Sequence, residues 1–398
     1  MSTAMSATRP APELRHSPAR AWRGLDVLAI ATHACAALLA LAAVLPSLAA
    51  ESAPLRMNQL QYIGSHNSYH AGLAPGEAAI WKRTDPALFA RIDYAHPPLA
   101  KQLDDGVRQI ELDIYADAKG GRYAHPAIAE QVAKAGLPAD PPFADAEAMR
   151  RPGFKVMHIQ DLDQRATCQP LVACLREVRA WSQAHPRHLP LFVLLETEEA
   201  PLKLPFPTVQ PEPFDTTALD ALDAEIRAVF ARQEYIAPDD VRGHFATLNA
   251  AIRAQGWPTL DSARGKIVFL LDQRHVGPAY LQGHASLRGR VLFTNARPGD
   301  DDAAFTELND GSAEEIAQLV KQGYLVRTRT DADLQEAQRN DTRRRDAMLA
   351  SGAQLLSTDY PDGEAAANGY VVGFARHLRA RCNPQFPEAR CSDADLKP

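Results

Sequence analysis

Residues 59–70 read Gln59-Leu60-Gln61-Tyr62-Ile63-Gly64-Ser65-His66-Asn67-Ser68-Tyr69-His70. The stretch Gln59–Gly64 is a short, largely apolar run of the kind that forms a strand. Just after it, an open doubly wound sheet would carry a Gly-rich phosphate turn, and Gly64-Ser65-His66-Asn67 is not one. Seven further runs rich in Val, Ile, Leu and Phe follow, at Val107–Ile114, Phe154–Ile159, Leu191–Glu196, Lys266–Leu271, Arg290–Thr294, Tyr324–Thr328 and Gln354–Ser357. Helical patterns separate most of them, at Leu171–Ala184, Thr217–Arg232, Ala313–Gln322, Asp331–Ala350 and Glu364–Arg379. Strands alternating with helices predict a parallel α/β sheet. Eight such units in about 350 residues predict a closed (β/α)8 barrel of TIM type, as one domain.

The composition agrees. The chain has 398 residues, 46% hydrophobic and 23% charged, with net charge −6. That excludes a disordered chain and a multi-span membrane protein. Mild acidity argues against nucleic acid as a partner, because phosphate backbones need a basic surface.

The first residues read differently. Arg9, Arg15, Arg20 and Arg23 precede an apolar run from Val27 to Leu45, and Pro46-Ser47-Leu48-Ala49 follows. This predicts a secretory signal over residues 1–49, cleaved after Ala49, with the barrel domain over 50–398. An uncleaved anchor is the other reading, but Thr32 and His33 interrupt the run and leave only Ala34–Leu45 clean, short for a span. Losing residues 1–49 removes four Arg and two acids and takes the net charge from −6 to −8. Cys168, Cys174, Cys382 and Cys391 remain, an even count that suits two disulfides in a secreted or periplasmic protein. Four cysteines allow three pairings, and the short separations favour Cys168–Cys174 and Cys382–Cys391.

In such a barrel the chemistry sits at the carboxyl ends of the strands. Nearly every predicted strand ends there in a polar or ionisable residue: His66 and Asn67, Glu111 and Asp113, His158 with Asp161 and Asp163 beyond it, Glu196, Asp272, Asn295, Arg327 and Arg329, then Asp359. Glu111 and Asp113 are two apart on a strand, so their side chains share a face. Two carboxylates in one site repel unless a cation or a proton lies between them. With Glu196 and the amide of Asn67 they offer four hard oxygen donors, which suit Ca²⁺ and not zinc. For a single carboxylate such as Glu111, a salt bridge to Arg108 or a neighbouring basic residue is the simpler role. His66 and His158 beside a cation suit phosphodiester cleavage, one activating a hydroxyl and the other protonating the leaving oxygen. Residues 201–214 carry five prolines among Leu202, Leu204, Phe206 and Phe214. They read as a rigid loop packed on the barrel, or else as a rim touching apolar substrate or membrane.

The motifs Ile63–Tyr69, Gln109–Asp113, Gly153–Ile159, Trp181–Glu196 and Ser351–Pro361 together resemble phosphoinositide-specific phospholipase C, in its bacterial secreted calcium-dependent branch. The resemblance implies a distorted TIM barrel acting as a monomer on phosphoinositide lipid, with transient contact at a membrane surface. It implies His66 and His158 as the catalytic pair, His158 being the acid toward the diacylglycerol oxygen. It implies Asn67, Glu111, Asp113 and Glu196 as Ca²⁺ ligands, with Glu111 doubling as base on the inositol hydroxyl, so that a cyclic inositol phosphate forms first. Arg327, Arg329 and Asp272 are expected to bind substrate phosphate or inositol hydroxyls, or else to pair with each other. In the animal relatives the second His follows the Glu-x-Asp strand closely; here His158 comes 45 residues after Asp113, and the nearer His125 is set aside because it follows a Gly120-Gly121 turn. A glycerophosphodiester phosphodiesterase would share the barrel but open with His-Arg-Gly instead of His66-Asn67-Ser68. A catalytically silent inositide- or glycan-binding barrel would not need both histidines.

Overall fold

The computed structural model describes residues 53–398, apart from 144, 145, 333, 393 and 398. The expected signal at 1–49 lies outside the described residues. Among the described residues eleven strands run in chain order. They are β1 (Leu60–Ser65), β2 (Gln109–Tyr115), β3 (Lys155–Val156), β4 (Leu191–Thr197), β5 (Tyr235–Ile236), β6 (Ile267–Leu271), β7 (Phe293–Thr294), β8 (Phe305–Glu307), β9 (Leu325–Arg329), β10 (Leu355–Thr358) and β11 (Arg381–Cys382).

Eight of these form a parallel ring in the order β1-β2-β4-β6-β7-β8-β9-β10, and β10 pairs back onto β1. A single parallel bridge, Asn295 to Phe305, joins β7 to β8. The β1–β2 seam is equally thin, with one register pair, Gly64 with Gln109. These two seams are the distortion of the barrel. Gly64 is required at its seam, since a Cβ there would stand 2.0 Å from the Gln109 side-chain oxygen.

Two short strands outside the ring, β5 and β11, were not expected, and membership of the ring itself differs from the sequence reading at one place. Phe154–Ile159 is not a barrel strand; only β3 is extended, and it runs antiparallel to the upper end of β2, with Val156 opposite Ile114. The ring takes β8 instead. Its three residues lie between Asp300-Asp301-Asp302 and Asn309-Asp310-Gly311, where turn formers mask a strand signal. His158 therefore stands in a loop, not at a strand end.

The helices cover the outside. Thr216–Val229 starts at Asp215, whose side chain accepts from the Ala218 amide at 2.9 Å. Its Leu219, Leu222, Ile226 and Val229 recur at helical spacing and are buried. Ala313–Lys321 opens with a reciprocal Ser312–Glu315 cap. The helix expected over Asp331–Ala350 is broken into Gln335–Arg339 and Arg343–Ser351 by Asn340, left-handed at φ 51°. The helix expected over Glu364–Arg379 does not form. Asn368 instead caps the Tyr370 amide in a turn through Gly369 (φ 86°), and only Ala375–His377 coils, as a 3₁₀ turn.

Inside the barrel, residues in register share a face. Tyr62 and Phe192 pack at 5.1 Å in the lower layer. Above them the inward positions turn polar and charged, which is the reverse of a barrel filled only for packing. Both short-loop disulfides are present, Cys168–Cys174 and Cys382–Cys391. Each closes a short loop, for which chain entropy predicts about 2–3 kcal/mol of stability. Reduction under native conditions should lower the melting temperature; an unchanged melt after verified reduction would contradict this.

Candidate active site

Register across β2 and β4 places Asp113 beside Glu196. Glu111 is one inward position below Asp113. Oxygens of these three carboxylates lie within 4.8 Å of one another. Burial, then the charge of Glu111, raises Asp113 well above the ordinary carboxylate range, although Tyr69 donates to it at 2.7 Å. Glu196 is raised by burial first and then by Asp113 and Asp272. Such a set holds its charges only with a cation among them.

Asn67 adds the fourth donor. Its backbone is left-handed, at φ 44°, in the turn after β1. One end of its amide lies 3.1 and 3.3 Å from the Asp113 oxygens, and the other 2.9 Å from Tyr94 Oη. With nitrogen toward Asp113 the amide hydrogen-bonds to the carboxylate. With oxygen toward it, an all-oxygen shell forms that only a cation can hold. The donor set therefore fits Ca²⁺, and Tyr69 and Tyr94 orient it from behind.

Closure of the ring sets β10 against β1, Thr358 opposite Ser65, so the next residues, Asp359 and His66, meet. His66 Nδ1 is 2.7 Å from Asp359 Oδ1, and His66 Nε2 is 3.7 Å from Glu111 Oε1. Burial and then Arg329 lower the His66 pKa, against Asp359 and Glu111. The neutral ring then holds its proton on Nδ1 toward Asp359 and keeps Nε2 bare. Burial works against the Asp359 charge, but His66 and Arg329 outweigh it and hold the carboxyl low. Arg329 reaches Asp359 at 3.1 Å. His96 bonds the His66 carbonyl at 2.9 Å and Glu364 at 2.7 Å, pinning the turn.

His158 is partly exposed, and its Nδ1 lies 2.9 Å from Asp163 Oδ2. A row of rings links the two loops: His66 to Tyr94 at 6.3 Å, Tyr94 to His70 at 4.7 Å and His70 to His158 at 5.3 Å. His125 is exposed elsewhere, beside Pro126 and Glu130.

Arg327 lies beneath this site. It is 2% exposed and pairs with Glu111, with Glu307 at 3.3 Å and with Asn309 at 2.9 Å. The salt bridge that is the simpler role for Glu111 thus forms, with Arg327 and not Arg108. Asp272, pushed up to about 6 by burial against the pull of Arg327, lies close to Glu307. Buried this way, Arg327 serves as the counter-charge of Glu111 and Glu307 and is not open to substrate. Arg327→Ala should destabilise the fold by about 3–5 kcal/mol, because buried acids lose their partner. Urea unfolding checks it, and a loss below about 1 kcal/mol would contradict that assignment.

The fold thus brings together His66, Asn67, Glu111, Asp113 and Glu196, with Arg329 joined through Asp359, and sets Arg327 and Asp272 below. The sequence reading gave no role to Asp359, Asp163, His70, Tyr69, Tyr94, His96 or Glu307. Asp359 had a usable signal, because in a closed barrel the end of the last strand neighbours the end of the first.

Residues 55–384 match the family described as phosphoinositide phospholipase C, Ca²⁺-dependent. Among solved structures the chain is similar to a calcium-dependent phosphoinositol-specific phospholipase C from a Pseudomonas species, at 16% identity and TM-score 0.50, over 83% of this chain and 96% of that one. It is also similar to a Ca²⁺-dependent phosphatidylinositol-specific phospholipase C from Streptomyces antibioticus, at 20% identity and TM-score 0.47, over 77% and 95%. No curated protein matches the chain.

Proposed function

The chain belongs to the calcium-dependent phosphoinositide phospholipase C family, and from that premise we propose that its reaction is carried out by the residues converging at the carboxyl mouth of the barrel. As a member it is an enzyme that uses Ca²⁺ to cleave the phosphodiester bond of phosphatidylinositol-type lipids. The observation that carries the site assignment is the meeting of Glu111, Asp113 and Glu196 beside the His66–Asp359 pair.

Asn67, Glu111, Asp113 and Glu196 would hold the cation. When bound, Ca²⁺ supplies positive charge that favours the developing negative charge on the phosphoryl oxygens. His66 takes the proton of the attacking inositol hydroxyl at Nε2, while Asp359 holds the Nδ1 proton and steadies the imidazolium. Glu111 is engaged by Arg327, which leaves it as a ligand and not the base. His158 gives a proton to the departing diacylglycerol oxygen. Arg329, held by Asp359 and partly exposed, would meet the phosphate. The inositol hydroxyl being the nucleophile, a cyclic inositol phosphate is the first product.

The site is complete within one chain, so a monomer suffices. Its lipid lies in a bilayer, so a transient membrane contact follows. Leu202 and Phe206 of the proline-rich loop pack against Ile80, Trp81 and Leu162, while Leu204 is 36% exposed, the one exposed large hydrophobic among the described residues. Two disulfides support a secreted or periplasmic location, with residues 1–49 as the signal and 50–398 as the mature domain.

Assay of phosphatidylinositol vesicles, with Ca²⁺ and with chelator, tests the reading. Calcium-dependent release of inositol phosphate and diacylglycerol is expected. Hydrolysis of glycerophosphoinositol alone would overturn it.

A further inference from the structure

His70 is fully buried, and the chemistry above gives it no task. Its Nε2 lies 2.8 Å from Asp163 Oδ2, the same oxygen that faces His158 Nδ1 at 2.9 Å. The two rings stand nearly perpendicular, at 68°. Neither His70 Nδ1 nor Asp163 Oδ1 has a hydrogen-bond partner, so all of the polar contact between the three side chains runs through one oxygen.

The backbone repeats the junction. His70 bridges to Ala166, the Thr167 amide bonds the Tyr69 carbonyl at 2.8 Å, and the Ala71 amide bonds the Arg165 carbonyl at 3.2 Å. These contacts sew the turn carrying His66 to the loop carrying His158. The disulfide of Cys168 to Cys174 anchors the end of that second loop on the helix Leu171–Ala184.

An aspartate with one donor can offer either oxygen, and its carboxylate plane turns easily. A second donor on the same oxygen removes that freedom. His158 stands in a loop, not on a strand, so it needs such an anchor more than His66 does.

We propose that His70 is a positioning residue that acts through Asp163 to fix the orientation and neutral tautomer of His158: Asp163 holds the Nδ1 proton, and the imidazolium form gives its Nε2 proton to the leaving oxygen. This rests on His158 being the acid of the proposed function. It assigns His70 no contact with substrate.

Two variants separate the role from bulk. His70→Gln keeps an N–H donor in nearly the same place; His70→Leu removes it. Misplacing a catalytic group by about 1 Å costs on the order of 10²-fold in rate. His70→Leu should therefore lower kcat by that order with KM unchanged, and His70→Gln should recover most of it. In ¹⁵N-histidine NMR of the whole protein, the His158 signal is identified by its loss in His158→Gln. With the Nε2 proton titrated off, the neutral ring should report one tautomer, protonated at Nδ1, in wild type and in His70→Gln, and a mixture in His70→Leu.

If His70→Leu does not fold, His70→Asn, whose shorter amide does not reach Asp163 Oδ2, takes its place: it should mix the His158 tautomers, and an unchanged His158 tautomer would overturn the proposal. An unchanged His158 tautomer in a folded His70→Leu would also overturn it. The tautomer readout does not depend on turnover. A tautomer shift with full activity in His158→Ala would sink the acid assignment and leave the positioning contact standing.

Discussion

Replacing His66 by Ala should lower kcat on phosphatidylinositol vesicles by about 10²–10⁴-fold, the span general acid–base groups supply. His158→Ala should fall by a similar order. Both variants should stay folded, because each carboxylate that loses its histidine keeps another partner. Without His66, Asp359 still has Arg329 at 3.1 Å. Without His158, Asp163 still has His70 at 2.8 Å. Neither deletion leaves a buried charge alone, so melting temperatures should move little. A kcat within tenfold of wild type in either variant would remove that residue from the mechanism. The pH profile gives a second check. Burial and Arg329 lower the His66 pKa, so the base form persists to more acid conditions than a free imidazole allows. The acid limb assigned to His66 should lie below about 6.5.

The second large effect is on calcium. Asp113→Asn should cut turnover on the order of 10²-fold or more and abolish the stabilisation by Ca²⁺ expected in wild type. At a hundredfold excess over its dissociation constant, a ligand adds about 2.7 kcal/mol to the stability of the folded form. The chelated proteins should rank the other way. Asp113→Asn removes one of three repelling carboxylates, so without metal it should melt above wild type.

The sign with pH follows from the raised acids. Asp113, Glu196 and Asp272 have folded-state pKa values above those of the unfolded chain, that of Asp272 reaching about 6. Their contribution is present at low pH and lost as pH rises through those values. In chelator, wild-type melting should therefore fall as pH rises from about 4 through about 6, the span set by Asp272, and Ca²⁺ should flatten the decline. A calcium-dependent melt retained in Asp113→Asn would argue against the ligand set.

What was legible in the sequence were features that repeat locally. Glu111 and Asp113 share a face because they are two apart on one strand. The helix Leu171–Ala184 could be placed to the residue from its apolar spacing. Partners far apart in the chain were not legible: Asp359 lies 293 residues from His66, and Asp163 lies 93 from His70. No spacing rule reaches that far; only the closed ring and the sewn loops bring them together. Phe154–Ile159 misled because Phe154, Val156 and Met157 are buried as a strand's residues would be, against the outer end of β2 and not in the ring. β8 escaped because three residues between turn formers carry too little pattern.

The seam between β1 and β10 has a consequence for the order of events in folding. β1 can pair with β2 early, but its other edge stays open until β10 is made, some three hundred residues later. Closing so long a loop costs entropy before it returns contacts, and high contact order slows folding. An unfinished chain therefore lacks a closed barrel and stays extensible. The same seam carries His66 and Asp359. Catalytic competence thus arises with the final closure, and a partly folded chain holds no assembled base to set loose on a lipid.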